Sequence, residues 1–220
     1  MAAKAAGLAL RAELIELWFG DVRRAGYSAQ SLMKASSLWF GVGQSKAETA
    51  AFDKEMAARF GPSLADAAAG LLDGPVWTKD PEGVLAFCIL CDQLSRNIHR
   101  GKADAFALDA KVVERVRSAV NERLHTRLHV VERAFVFLPL EHSEQIADHM
   151  LAEQLLKEAD QTPDLPDHLH TYIGNVAKFL DSHTEVIKRF GRYPHRNRTL
   201  GRQSTPDELE YLKTASGWGQ

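Results

Sequence analysis

Hydrophobic positions recur every three or four residues along most of the chain, and alternating β-branched runs bounded by turn pairs are missing. That spacing predicts an all-α protein. A first helix is expected over residues 8–19, with Leu10, Leu14, Leu17 and Trp18 on one face and Gly20 as its stop. A loop carrying Gly26, Gly41 and Gly43 should follow. Ser45, with Glu48 three residues later, has the form of a capping box and opens a helix to about residue 60, where Gly61 and Pro62 should break it. Ser63 would then cap a short helix ending near Gly70. Asp80-Pro81-Glu82 is a further start signal, because proline at the first helical position loses no bond that would have formed. The helix it opens, 81–97, contains Val84, Leu85, Phe87, Cys88, Ile89 and Leu90, so it should be the most buried.

Further helices are expected over 103–121, 130–137, 143–159 and 166–190, with Ser143 as the cap of the third and Glu144 in its first turn. In the 166–190 segment, Leu169, Tyr172, Ile173, Val176, Leu180, His183, Ile187 and Phe190 form one stripe that must pack along its whole length. Thr205, Pro206 and Glu208 combine cap, first-position proline and capping-box acid at the start of a last helix. About nine helices joined by short loops imply an irregular bundle or antiparallel helix pairs stacked into a small superhelix of the tetratricopeptide type. No regular 34-residue recurrence is present. With 220 residues, 45% of them hydrophobic, and no linker-like stretch, the chain is expected to form a single domain over 1–220.

Charge narrows the partners. A net charge of -2 creates no global field that would draw the chain to nucleic acid or to an anionic membrane. No run approaches the ~18 apolar residues of a membrane span, and Arg11, Glu13 and Glu16 interrupt the N-terminal apolar stretch before a secretory core could form. The two cysteines, Cys88 and Cys91, lie inside an apolar run, which reads as packing and points to a reducing compartment, the cytoplasm. No cofactor motif or metal-ligand spacing stands out: Gly41-x-Gly43 lacks a third glycine, and no His-Glu-x-x-His occurs.

Three segments are too rich in polar groups for ordinary helix faces. In 92–100, Asp92 and Arg96 are four apart on a helix that should be buried, and Asn97, His99 and Arg100 follow. In 141–144, Glu141, His142, Ser143 and Glu144 are adjacent; capping accounts for the last two and leaves His142 over. Neighbouring Ser, His and Glu are not a catalytic triad, since side chains adjacent in sequence diverge in space. In 189–202, Arg189, Arg192, Arg196, Arg198 and Arg202 are interleaved with Phe190, Tyr193, His195 and Asn197. These arginines either bind an external anion or pair internally with Asp92, Asp109, Glu141 or Glu144, and the balanced charge favours internal pairing. His183 sits on an apolar stripe, as a hydrogen-bonded core histidine or one facing a pocket.

The chain resembles a bacterial family of unknown function, the DUF924 family. Four stretches carry the resemblance: Trp18-Phe19-Gly20, DQLSRNIHRG from Asp92, PLEHSE from Pro139, and RFGRYPHRNRTLGRQST from Arg189, in the family's order. It departs from the family pattern at Leu94-Ser95, His99, His149 and Tyr193, and each departure leaves the charged positions in place. The resemblance implies a tetratricopeptide-like helical fold and carries no established activity.

The leading expectation is a binding module in which the three segments meet at one pocket for a small anionic molecule or acidic peptide. Its residues would be Asp92, Arg96, Asn97, Glu141, His142, Glu144, His183, Arg192, His195, Arg196, Asn197 and Arg202. The alternatives are an enzyme with His142 or His195 as acid or base beside Glu144 or Asp92, and an RNA- or polyanion-binding surface at 189–202.

Overall fold

The computed structural model describes residues 2–215, and every regular element among them is helical. The first helix, α1 (Ala2–Arg24), is longer than its periodicity predicts. Gly20 does not stop it, because Phe19 and Val22 on either side are buried and hold the turn in register. The chain leaves the helix at Gly26 and Tyr27, whose φ angles are 59° and 55°. The expected glycine loop contains a helix, α2 (Ala29–Phe40). Ser28 caps it and Gly41, at φ 66°, closes it, but only Leu32 and Trp39 are buried, too sparse a stripe to register as a period.

Helix α3 (Lys46–Ala68) begins at the Ser45/Glu48 capping box as expected, then runs through the expected break at Gly61-Pro62. Pro62 forfeits one backbone bond, yet the helix continues because Phe60, Leu64 and Ala67 all face the core. Ser63 is therefore interior rather than a cap. The one-turn α4 (Pro75–Thr78) lies against α5 (Pro81–Cys88) at Gly83, where a Cβ would stand 1.7 Å from the Val76 carbonyl oxygen.

The predicted 81–97 helix is not uniform. After α5 the chain widens into a π-helical turn (Ile89–Leu94) before resuming as α6 (Ser95–Ile98). The 103–121 helix divides into a 3-10 turn (Ala103–Phe106) and α7 (Asp109–Asn121). Helix α8 (Val130–Glu141) runs a turn past its predicted end with Pro139 inside it. Helix α9 (Ile146–Asp160) starts three residues later than Ser143, which is not its cap. Then come α10 (Asp167–Phe190) and α11 (Pro206–Leu212), the latter opened by the Thr205/Glu208 capping box.

The core is centred on α5, the π turn and α8, against which α1, α7, α9 and α10 pack. Trp18, Phe19, Trp39 and Phe135 form an aromatic cluster in which Phe135 meets Trp39 at 4.8 Å and Phe19 at 5.2 Å between ring centres. Burying each such ring stabilises by roughly 1.5–3 kcal/mol, so the early Trp-Phe pair fastens α1 and α2 to α8. No helix among the described residues is long and apolar enough to cross a membrane.

Replacing Gly83 with alanine should destabilise the protein by about 3 kcal/mol, since backbone rather than a flexible side chain blocks the new methyl group. Urea unfolding checks this; a loss under ~1 kcal/mol would mean that α4 simply moves aside.

Candidate functional site

The site grows from the π turn. Such turns carry one extra residue and recur where a helix must redirect a side chain. Here the turn carries Asp92 while its widened backbone is bound by side chains: Ser95 Oγ donates to the Cys91 carbonyl at 2.8 Å, and Arg96 Nη1 donates to the Asp92 carbonyl at 2.9 Å. The Asp92 carboxylate is 1% exposed. Gln93 Nε2 donates to it at 2.6 Å, His142 Nδ1 lies 2.8 and 3.0 Å from its two oxygens, and Arg96 Nη2 lies 3.4 Å away. Burial by itself would raise the Asp92 pKa, but the Arg96 charge and the imidazole N–H outweigh it and hold the group well below the carboxylate range.

His142 closes the C-terminal end of α8. Since an ionised carboxylate only accepts, Nδ1 carries the proton and Nε2 presents a lone pair. Among the described residues Nε2 makes no hydrogen bond, and the ring is 13% exposed. Burial lowers the His142 pKa; Asp92 works against this and Arg96 with it, leaving the imidazole below its usual value and neutral near pH 7. Serine takes no part: Ser143 Oγ donates to Asp148 at 2.6 Å, and Ser95 Oγ is turned to backbone.

Two buried guanidinium groups flank this pair. Arg96 forks onto Asp109 with both contacts at 3.1 Å. Arg196 donates to the same carboxylate at 3.3 Å and to the His142 carbonyl at 3.0 Å, and it lies between the rings of Phe106 (4.6 Å) and Tyr193 (4.5 Å). The remaining groups cluster around Tyr193. Its hydroxyl donates to the Glu141 carbonyl, its backbone N–H to Glu144 at 2.8 Å, and Arg202 holds Glu144 through contacts of 2.6 and 2.9 Å.

Glu141 and His183 approach to 3.0 Å, the spacing of an ion pair, yet burial drives both toward their neutral forms: Glu141 up to about 8 and His183 down to about 3. His183 Nδ1 also lies 2.8 Å from the Phe179 carbonyl, which can only accept, so this nitrogen bears a proton and the contact joins two neutral groups. His149 sits beside them, bonded to Thr184 at 3.0 Å and to the Ser143 carbonyl at 2.8 Å.

The three polar segments therefore meet, but not every residue in them belongs to the centre. Arg192 is spent on Glu208 (2.6 and 2.8 Å), and Asn197 bonds Ser204 and the same Glu208, which together tie the C-terminal segment to α11. Asn97 and Arg100 hold Asp53 of α3. Arg202 faces Glu144 rather than an open pocket. His195 is placed against Tyr193, at 5.4 Å between rings. Arg189 lies over Phe190 and Tyr211, and Arg198 is exposed. Gln93 and Thr199 lie inside the polar segments at 92–100 and 189–202 without having been singled out there, while Asp53, Phe106 and Asp148 lie outside the three segments and nothing in their local pattern separates them from ordinary surface or helix residues. Among the described residues, no three His, Cys, Asp or Glu side chains are grouped to hold a metal ion. A surface cleft of about 500 Å³ is lined by Arg189, Phe190, Arg192, Thr205, Asp207 and Glu208; its Arg192 and Glu208 neutralise each other, and neither Asp92 nor His142 lines it.

Fold and site define an all-helical protein built around a buried network of histidine, carboxylate and guanidinium groups. The chain belongs to the DUF924 family, described as bacterial proteins of unknown function, whose sequence pattern matches residues 14–216. It is similar to the solved structure of a protein of unknown function from Agrobacterium tumefaciens, at 30% identity and a TM-score of 0.70, covering 94% of this chain and 99% of that one. No curated protein matches it.

The neutral Glu141 has a thermodynamic signature. Its folded pKa lies above its unfolded one, so its contribution to stability is complete below about pH 4.5 and is lost as pH rises through about 8, by at most ~1.4 kcal/mol per pH unit. Glu141→Gln should remove that slope, as read by urea unfolding between pH 5 and 9. An unchanged slope would show that the carboxyl ionises freely in the folded state.

Proposed function

We propose that the protein is an enzyme in which His142 is the general base and Asp92 the residue that orients it. The observation carrying this reading is the pairing of a buried carboxylate with Nδ1 at 2.8 Å while Nε2, on a partly exposed ring, makes no hydrogen bond among the described residues. Asp92 fixes the tautomer and stabilises the imidazolium that forms on proton uptake, as in other histidine–carboxylate pairs. Arg96 supplies the complementary condition. By compensating Asp92 it spares the resting imidazole from protonation, so the base is ready at neutral pH.

With Ser143 turned to Asp148 and Ser95 to backbone, the proton His142 takes comes from water or from the substrate itself. The reaction class is therefore hydrolysis by activated water or proton abstraction from a small molecule. The pocket-like binding role keeps support at Arg96, which lines a small hollow, and at Arg196, which stacks on the Phe106 ring of the same hollow, whereas Arg192 and Arg202 are turned to Glu208 and Glu144. The buried thiols Cys88 and Cys91, whose ionisation burial opposes, suit the reducing cytoplasm as the compartment.

The test is incubation of the wild-type protein with a bacterial small-metabolite extract in ¹⁸O-labelled water and, separately, in D₂O, read by mass spectrometry. Label should enter at least one metabolite with the wild type and not with His142→Gln. Asp92→Asn should slow the same turnover by about 10²–10⁴-fold with the fold intact. The rate should fall on acidification only below the ordinary imidazole range, because the His142 pKa is lowered. Equal labelling by wild type and His142→Gln would refute the assignment.

A further inference from the structure

A narrow hollow of about 20 Å³, enough for one oxygen-sized group, is lined by Arg96, Arg100, Gly101, Ala105, Phe106, His195 and Thr199, and it meets the Asp92–His142 network through Arg96. No carboxylate lines it. Its walls include the guanidinium groups of Arg96 and Arg100, held by Asp109 and Asp53, together with the His195 imidazole and the Thr199 hydroxyl.

The network next to it is short of acceptors. Arg96 and Arg196 each bury an Nε–H that finds no partner, and both side chains are more than nine-tenths buried. A buried donor left without an acceptor costs ~1–3 kcal/mol, more when it is charged. Both cations share one carboxylate, Asp109; Arg96 is also 3.4 Å from Asp92, whose oxygens are taken up more closely by His142 and Gln93. For Arg196, burial and the like charge of Arg96 outweigh the attraction of Asp109 and push its pKa below the usual value. One anionic acceptor near these guanidinium groups would relieve the donor surplus and the repulsion together.

We propose that this hollow is an oxyanion subsite, taking an oxygen of a carboxylate or phosphate group, and that such a group anchors the substrate beside the His142 base. The inference rests on the catalytic reading for its purpose, but the binding can be measured without turnover. Thr199 and His195 stand at the hollow and outside the Asp92–His142–Arg96 chain, so changing them leaves the base in place. Phe106, on a one-turn 3-10 segment, lines the hollow and stacks on Arg196.

The probes are inorganic phosphate, methyl phosphate and acetate, each titrated at constant ionic strength and read by thermal shift and calorimetry. Saturable stabilisation by at least one is expected, and the preference among them identifies the source chemistry. Thr199→Leu, which fills the hollow, and His195→Gln should each weaken binding at least tenfold without changing the melting temperature of the free protein by more than a few degrees. His142→Gln should retain binding. If Thr199→Leu and His195→Gln bind as tightly as the wild type, or no probe binds saturably, the subsite is overturned. Loss of binding in His142→Gln alone would place the anion at the base instead and also overturn it. The labelling experiment is independent of these outcomes, so a failed subsite and a failed base are told apart.

Discussion

The burial of the Asp92 charge is the constraint on which the rest of the site depends. A carboxylate at 1% exposure is tolerable only if donors surround it, because the cost of removing an ion from water far exceeds the value of any single hydrogen bond. Gln93, His142 and Arg96 are those donors, and each comes at a particular angle. The π turn presents Asp92 to all three at once. Once Arg96 is drawn in, it needs further acceptors, and Asp109 supplies them; once Asp109 is shared with Arg196, the C-terminal segment is pinned over α8. Buried charge thus recruits buried charge from four separate stretches of sequence.

The same chain of demands separates neighbouring groups by protonation state. Asp92 is ionised, while Glu141, also buried and next to His142 in the chain, is held neutral by its burial and by the nearby Asp92 charge. His142 and His183 are both neutral, yet one has its Nδ1 on a carboxylate beside a guanidinium and the other on a backbone carbonyl. Environments that push like groups apart in this way are common in sites that handle protons. His142 combines an Nδ1 on a buried carboxylate with an Nε2 that makes no hydrogen bond among the described residues, on a ring that is 13% exposed.

Much of the fold was legible in the sequence. The 3.6-residue period gives the all-α class, and capping boxes at Ser45/Glu48 and Thr205/Glu208 locate helix starts because they satisfy backbone donors locally. Local signals failed where burial overrode them. Gly20, Gly61 and Pro62 are stop signals by propensity, but adjacent core residues carry the helices through. Ser143 looks like a cap in sequence, but its hydroxyl serves Asp148. Helix α2 went unseen since two buried side chains make no stripe.

For the site, the sequence by itself determined which stretches hold the unusual concentration of charge: 92–100, 141–144 and 189–202. Composition is a local property, and charges crowded next to apolar runs must be paired wherever they end up. Pairing is not local. That His142 rather than His195 takes the carboxylate, that Arg192 and Arg202 are absorbed by Glu208 and Glu144 while Arg96 and Arg196 share one acid, and that Phe106 and Thr199 stand beside them were all decided by tertiary structure. Hydrogen bonds act over about 3 Å, and sequence spacing cannot say which of several equivalent donors, separated by dozens of residues, a fold will bring within that distance.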